Sequence, residues 1–138
     1  MAYPTVSAPY GLQPINRIDG MPYAGATQQL PIASTYNTAI FDGDIVALVN
    51  GNIVKSLVTS NVSTNSSTAT FGVFVGCQYV NGQGQTVQAQ YYPGNAAASS
   101  AIAYVVNDAS AAYKVAITYS SNTTVTTANA SIVGANMT

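Results

Sequence analysis

The chain has 138 residues, of which 48% are hydrophobic and only 5% are charged, against roughly 25% charged residues in a typical soluble protein. Three cations and a net charge of −1 exclude the basic footprint that nucleic-acid phosphates or an anionic membrane surface would require. A chain so close to neutral repels its own copies weakly, so the composition favours protein partners and assembly.

Side chains that commonly carry catalysis are scarce. The sequence contains no histidine and no glutamate, so acid–base work would fall to aspartate, lysine or tyrosine. Asp42 and Asp44 flank Gly43, a spacing at which aspartates bond to the backbone of a tight turn. A carboxylate pair is the alternative, but the segment lacks the further oxygen ligands of a calcium loop. The sequence predicts no enzyme and no catalytic, metal or cofactor site.

The single cysteine, Cys77, excludes an intrachain disulfide. It lies in an apolar alternating run with no histidine to activate it, which predicts a buried, inert thiol. The first residues also lack the basic and apolar regions of a signal peptide.

Residues 1–32 differ from the rest because they hold five of the six prolines. Proline excludes a long helix or a central strand here, yet apolar and tyrosine residues recur throughout the segment. We therefore predict an extended N-terminal arm that lies against its own domain or against a neighbouring subunit. Arg17 is expected either to pair locally with Asp19 or to anchor the arm to a partner.

Two runs rich in β-branched residues, Ile45–Val49 and 53–58, flank Asn50-Gly51-Asn52, which is a strong hairpin signal. If Asn50-Gly51 form the turn, Leu48 pairs with Ile53 and Val46 with Lys55. If Gly51-Asn52 form it, Val49 pairs with Val54 and Leu48 with Lys55. In either register both faces carry aliphatic residues, so we expect the hairpin to be covered on both sides.

Further strands follow at near-regular spacing. Residues 71–80 alternate, which predicts Phe71, Val73, Val75, Cys77 and Tyr79 on one face and Gly72, Phe74, Gly76 and Gln78 on the other. The two glycines suggest a close backbone approach or a bend. After a loop at 81–84, residues 86–92 are predicted to form an edge strand that Pro93-Gly94 stops.

Residues 101–106 and 112–119 are predicted to form the last two strands. Residues 59–70 are uncharged and low in complexity, which is typical of a surface loop, and Asn95 is a candidate N-cap for one helical turn. The pattern as a whole predicts an all-β fold, a small antiparallel β-barrel or sandwich over residues 33–138, preceded by the arm.

Ten tyrosines without a tryptophan favour use in protein interfaces, because tyrosine offers a large contact area at low entropic cost. Tyr91-Tyr92-Pro93 could alternatively provide a stacking platform for a sugar, or the tyrosines could simply occupy sheet faces.

Several stretches resemble small structural proteins of marine tailed bacteriophages: APYGLQPINRIDG and PYAGAT near the start, then GDIVALVNGNIVKS, GVFVGCQY and QAQYYPG. Relatives of this kind are interpreted as head decoration (cement) proteins. The similarity spans most of residues 8–118 and depends on turn and strand residues. It implies a β-tulip-like subunit on the outer capsid surface, assembled in the cytoplasm of a host bacterium and located in the virion.

The expected partners are the major capsid protein and copies of the chain itself, as a homo-oligomer for which a trimer is one arrangement. The alternatives are a fibre-tip or adhesin-type module that binds receptors or glycans, and a head–tail connector. The residues predicted to form the partner interface are Tyr3, Pro9, Tyr10, Leu12, Pro14, Ile15, Arg17, Ile18, Tyr23, Tyr91 and Tyr92.

Overall fold

The computed structural model describes residues 11–56, 70–95 and 98–116, and within these ranges it contains ten β-strands and no helix. The all-β prediction is confirmed. The strands are β1 Gln13–Arg17, β2 Gln28–Pro31, β3 Ile40–Phe41, β4 Ile45–Val49, β5 Asn52–Lys55, β6 Thr70–Val80, β7 Thr86–Ala89, β8 Tyr91–Tyr92, β9 Ser99–Val106 and β10 Ala111–Lys114.

Some sequence predictions fall outside the described residues. They concern Tyr3, Pro9 and Tyr10 of the arm, the loop up to residue 69, the two residues that follow Asn95, and the end of the predicted last strand at 117–119.

The strands form three antiparallel sheets, and none of these closes into a barrel over the described ranges. The six-stranded sheet has the order β2-β9-β6-β4-β5, with β7 also paired to β6. β6 is its centre, because β9 pairs with residues 73–80 while β4 and β7 pair in succession with residues 70–73 and 77–80. The two smaller sheets are β1-β10 and β3-β8. Of the two predicted architectures, sandwich-like sheets fit.

The hairpin of β4 and β5 has the first of the two predicted registers. Leu48 pairs with Ile53 and Val46 with Lys55, and the turn residues Asn50 and Gly51 have φ angles of 49° and 79°. Two successive positive φ angles are those of a type I′ turn, whose backbone twist matches the twist of the adjoining strands. Val46 and Ile53 are buried on one face of the hairpin and Ala47 is buried on the other, so each face is covered in part. Leu48, opposite Ile53, is exposed.

The simple alternation predicted for β6 is wrong beyond Phe74. Phe74 pairs with Val105 and Cys77 pairs with Ala103, so three residue steps on β6 face two on β9. This bulge at Val75 moves the later residues to the other face, and Phe74, Cys77 and Tyr79 therefore share one buried cluster. The predicted close approach is confirmed at Gly72, where an added Cβ would collide with the carbonyl oxygen of Val106.

The predicted strand over residues 86–92 is also interrupted. A bend at Gln90 separates β7, which pairs only with β6, from β8, which pairs with β3. The edge character of β7 and the stop at Pro93 agree with the prediction. The bend places Tyr91 at the surface and Tyr92 in the core, so neighbouring tyrosines have opposite environments.

The described part of the arm lies against the chain's own domain. β1 pairs with β10, and β2 forms an edge of the six-stranded sheet through β9. Neither strand is central, in agreement with the constraint that proline imposes. Of the two contacts predicted for the arm, residues 11–32 make the intramolecular one.

Candidate interaction surfaces

The β1–β10 ribbon has two distinct faces. Its register sets Gln13 opposite Lys114 and Pro14 opposite Tyr113, with an irregularity between Pro14 and Asn16 that accommodates Ile15. The outer face consists of exposed side chains: Gln13, Ile15, Asn16, Ile18 and Lys114. The inner side chains are half-buried: Pro14, Arg17, Ala111 and Tyr113. Two of the predicted interface residues, Ile15 and Ile18, therefore lie at the surface together.

The turn after β1 adds a further apolar side chain. The Arg17 N–H donates to the Met21 carbonyl at 2.8 Å, and the Gly20 N–H donates to the Arg17 carbonyl at 3.1 Å. This turn brings Met21 back beside the end of β1. Met21 is 59% exposed and Ile18 is 77% exposed, so one end of the ribbon presents a small apolar patch to solvent.

The local ion pair predicted between Arg17 and Asp19 is wrong. Arg17 Nε lies 3.5 Å from Asp108 Oδ2, whereas Asp19 Oδ1 accepts from the Met21 N–H at 3.0 Å. Asp108 is placed by its own turn, in which Oδ1 accepts from the Ser110 N–H at 2.9 Å. Arg17 thus forms an ion pair between the arm and the turn before β10, in which its Nε makes no hydrogen bond.

Tyr23 is also directed towards its own domain. Its hydroxyl donates to the Ala26 carbonyl at 2.7 Å. Burial, with a smaller effect from the charge of Asp108, raises its pKa above the ordinary value, and burial likewise raises the pKa of Tyr113. Tyr23 therefore lies near Asp108 and Tyr113, on the inner side of the ribbon.

A second exposed surface lies on the β3–β8 pair. Phe41 and Tyr91 are directly opposite each other, with ring centroids 6.1 Å apart and an interplanar angle of 19°. They are 53% and 47% exposed. Lys55 Nζ lies 5.8 Å from the centroid of the Phe41 ring. Phe41, Tyr91 and Lys55 are called the aromatic face below.

The turn between β3 and β4 holds the aromatic face in place. Asp44 Oδ2 accepts from the Phe41 N–H at 2.9 Å and lies 2.9 Å from Lys55 Nζ, while the Asp44 N–H donates to the Phe41 carbonyl at 3.0 Å. Gly43 has a φ of 89°. The predicted turn chemistry is confirmed, and Asp44 uses its carboxylate for the turn and for Lys55. Burial raises the pKa of Asp42 above its ordinary value.

An open groove of about 310 Å³ adjoins the turn. Its lining includes Leu12, Asp44, Lys55, Ser56 and Val115. The Leu12 N–H donates to the Gly43 carbonyl at 3.0 Å. The first described residues of the arm therefore contact a residue that follows Phe41 by two positions. The beginning of the described arm and the aromatic face are therefore neighbours.

Tyr92 does not belong to either surface. It is 1% exposed, its hydroxyl donates to the Tyr36 carbonyl at 2.8 Å, and its ring stacks on Tyr36 with centroids 6.4 Å apart. The Tyr36 hydroxyl in turn accepts from the Lys55 N–H at 2.8 Å. Tyr92 is a core residue that ties the loop before β3 to the sheet, which removes it from the predicted interface.

The buried thiol prediction is confirmed. Cys77 is 1% exposed, and burial raises its pKa to about 11. Its Sγ lies 3.2 Å from the Tyr91 carbonyl oxygen, to which it donates. Within the described ranges, no three acidic, cysteine or histidine side chains are grouped so that they could hold a metal ion.

Sequence reasoning missed Phe41 and Met21 as surface residues. Each stands next to a turn residue, Asp42 or Gly20, where a large apolar side chain is not part of an alternating run. Their position beside a turn could have indicated exposure, because fewer neighbouring strand residues cover an apolar side chain there.

Comparisons with known proteins found no relative: no family model, curated protein or solved structure matches the chain. The described residues include no helix long and apolar enough to cross a membrane.

Proposed function

We propose that the protein is a virion structural protein, a decoration protein that binds the outer surface of a tailed-phage capsid and stabilises the head without catalysing a reaction. The resemblance of residues 8–118 to marine phage structural proteins supports this role. So does a surface that carries few charges and many half-exposed apolar side chains, because such a surface is suited to contacts that are insensitive to salt.

The observation that carries the proposal is the position of the arm beside the aromatic face. Leu12 bonds to Gly43, two residues after Phe41, and Phe41 and Tyr91 are half-exposed on a strand pair that the Asp44 turn holds at the Phe41 backbone. Exposed aromatic rings on rigid elements are typical anchors of protein interfaces, because little side-chain entropy is lost on binding. In the proposed attachment, the aromatic face contacts the capsid, and Tyr3, Pro9 and Tyr10 of the leading arm extend the contact.

The experiment uses phage heads that are assembled from a major capsid protein in the absence of this chain. Full-length chain is titrated onto these heads, and bound copies are counted after sedimentation. The double variant Phe41→Ser/Tyr91→Ser should bind at least ~10-fold more weakly, as expected when interface anchors are lost. Ile102→Ser is the matched control, because Ile102 is 38% exposed on β9, in another sheet. Equal binding by the double variant and the wild type would reject the attachment surface.

A glycan-binding role is the second candidate, and the groove beside the aromatic face favours it. An aromatic ring beside hydrogen-bonding side chains can bind a sugar by stacking on one ring face and bonding to hydroxyls. Asp44, Lys55 and Ser56 line the groove, and Lys55 lies over Phe41. Clear hits on a glycan array that Tyr91→Ala abolishes, together with no binding to heads, would favour this role over decoration.

A further inference from the structure

The chain contains two Asn-Gly sequences, Asn50-Gly51 and Asn81-Gly82. Asparagine is a chemically labile residue, and a following glycine has no side chain to obstruct attack of its nitrogen on the asparagine amide. Each sequence lies between two strands, the first between β4 and β5 and the second between β6 and β7. The sequence alone gives no reason for the two sites to differ in reactivity, whereas the structure does.

The turn at Asn50 has a backbone close to the one that ring closure requires. Closing a ring between the Gly51 nitrogen and Cγ of Asn50 eclipses Cβ with that nitrogen. This sets ψ of Asn50 to about −120°, the value at the first central position of a type II′ turn, which asparagine accepts. That position also needs a positive φ, and Asn50 has a φ of 49°. Only the peptide plane between Asn50 and Gly51 therefore has to rotate.

The hairpin permits this rotation without a change of register. Types I′ and II′ are both two-residue hairpin turns, so Val49 stays paired with Asn52. Gly51 must change the sign of its φ, now 79°, which glycine does readily. Within the described ranges, the Gly51 N–H makes no backbone hydrogen bond. The rotation costs one long, exposed bond, from Asn52 Nδ2 to the Asn50 carbonyl at 3.3 Å.

Asn81 is held in a different conformation. Its Oδ1 accepts from the N–H groups of Gln83 and Gln85, each at 3.0 Å, and its carbonyl accepts from the Gly84 N–H at 3.0 Å. Its φ is not positive, and a ψ of about −120° lies outside the main regions open to a negative φ. Ring closure onto Gly82 would therefore require Asn81 to break these bonds and to leave its backbone region.

We propose that Asn50 is a site of spontaneous covalent modification, whereas its loop protects Asn81. The Gly51 nitrogen bonds to Cγ of Asn50 and loses its proton, and the side-chain amide leaves as ammonia. Water then opens the succinimide. Attack of water at Cγ gives aspartate, and attack at the backbone carbonyl carbon gives isoaspartate, in which the chain continues through Cγ. The balance consumes one water and releases one ammonia.

The two products differ in their effect on the hairpin. Aspartate retains the turn, because it accepts a positive φ as asparagine does. Isoaspartate lengthens the backbone of the turn by one carbon, so the two-residue loop no longer fits the register of β4 and β5. β5 is an edge strand of the six-stranded sheet, and its Ile53 is buried. Isoaspartate should therefore loosen this edge. The inference goes beyond the proposed function and does not depend on it.

The test is a time course on the folded full-length chain, incubated at pH 8 and analysed by peptide mass spectrometry. Trypsin cuts after Arg17, Lys55 and Lys114, which places Asn50 and Asn81 on different peptides. Asn50 should convert at least ~10-fold faster than Asn81, because two hydrogen bonds to Asn81 Oδ1 must break at roughly 5-fold each. In concentrated guanidinium chloride, which unfolds both loops, the two rates should agree within ~3-fold.

Asn50→Gly is the matched variant, because glycine keeps the positive φ and lacks the amide that closes the ring. The variant should lose the early products and convert Asn81 at the wild-type rate. A protein isoaspartyl methyltransferase should methylate aged wild type and not aged Asn50→Gly. Aged wild type should also unfold at a lower urea midpoint than Asn50→Asp, which has the same charge as the modified chain.

Several results would overturn the proposal. Equal rates at the two sites in the folded chain, faster conversion of Asn81, or an Asn50 that stays intact until the chain is unfolded would each reject selective modification. Aged wild type with the urea midpoint of Asn50→Asp would reject the loosening of the hairpin by isoaspartate.

Discussion

Replacing Gly72 with alanine tests how closely β6 and β9 approach. A Cβ at this position would collide with the carbonyl oxygen of Val106 and would lie 2.7 Å from Val105 Cγ1. The first of these atoms belongs to backbone that the pairing of Val73 with Val106 holds in place. It cannot turn away as a flexible side chain would, so the two strands must move apart.

The expected cost is about 2 kcal/mol. Overpacking of a well-packed region costs about 1–3 kcal/mol, and a weakened ladder hydrogen bond adds roughly 1 kcal/mol. Replacing glycine recovers about 0.4–1 kcal/mol by restricting the unfolded chain. With a urea dependence of about 1.5 kcal/mol/M for a domain of this size, the unfolding midpoint should fall by somewhat more than 1 M.

The assay is urea unfolding followed by circular dichroism, with Gly82→Ala as the matched control. Gly82 lies in the loop between β6 and β7, and an added Cβ there meets no atom within 4 Å. We expect the control to unfold within ~0.3 M of the wild type, as is usual for surface substitutions. If Gly72→Ala unfolded at the same midpoint as Gly82→Ala, the close approach of the two strands would be refuted.

Three further predictions concern the core and the hairpin. Tyr92→Phe removes the hydrogen bond to the Tyr36 carbonyl and should cost only about 1 kcal/mol in urea unfolding, because the Asn95 N–H still donates to that carbonyl; a loss above 3 kcal/mol would contradict this. Cys77 should resist a thiol reagent at pH 8 until the chain unfolds. Since its pKa is raised from 9.0 to about 11, its contribution to stability should be complete below pH 9 and lost as the pH rises to 11, and Cys77→Ala should reduce that decline. Asn50→Val should cost about 1–2 kcal/mol in the same unfolding assay because residue 50 has a φ of 49°, whereas Asn50→Gly should be nearly neutral.

Local signals were sufficient for the parts of the fold that local geometry determines. Asn50-Gly51 predicted a hairpin because few other dipeptides accept two positive φ angles, and one of its two registers is the observed one. The Asp42-Gly43-Asp44 turn is likewise determined by bonds between side chains and nearby backbone. The prolines of the arm predicted that no central strand forms there, and neither β1 nor β2 is central in its sheet.

The errors occur where distant contacts decide. The bulge at Val75 depends on the match between β6 and β9, and alternation within β6 alone does not reveal it. The bend at Gln90 likewise decides which of Tyr91 and Tyr92 is buried. Arg17 pairs with Asp108, a residue 91 positions away, because the pairing of β1 with β10 brings their turns together. Sequence proximity to Asp19 gave no guide to that contact.

The candidate surfaces were only partly predictable for the same reason. Ile15 and Ile18 were predicted to be interface residues from their place in the arm, and the ribbon exposes both. Tyr91 is exposed as an interface residue must be, but its partner Phe41 is 50 positions earlier in the chain and becomes its neighbour only through the β3–β8 pairing.

The measurement that tests the proposed function most directly is a reconstruction, by electron cryomicroscopy, of the phage particle that the proposal assigns this chain to. The account predicts density for the β domain on the outside of the head, with Phe41 and Tyr91 in contact with the major capsid protein. Density for the chain at a fibre tip or in a head–tail ring, or a head that lacks the chain altogether, would contradict it.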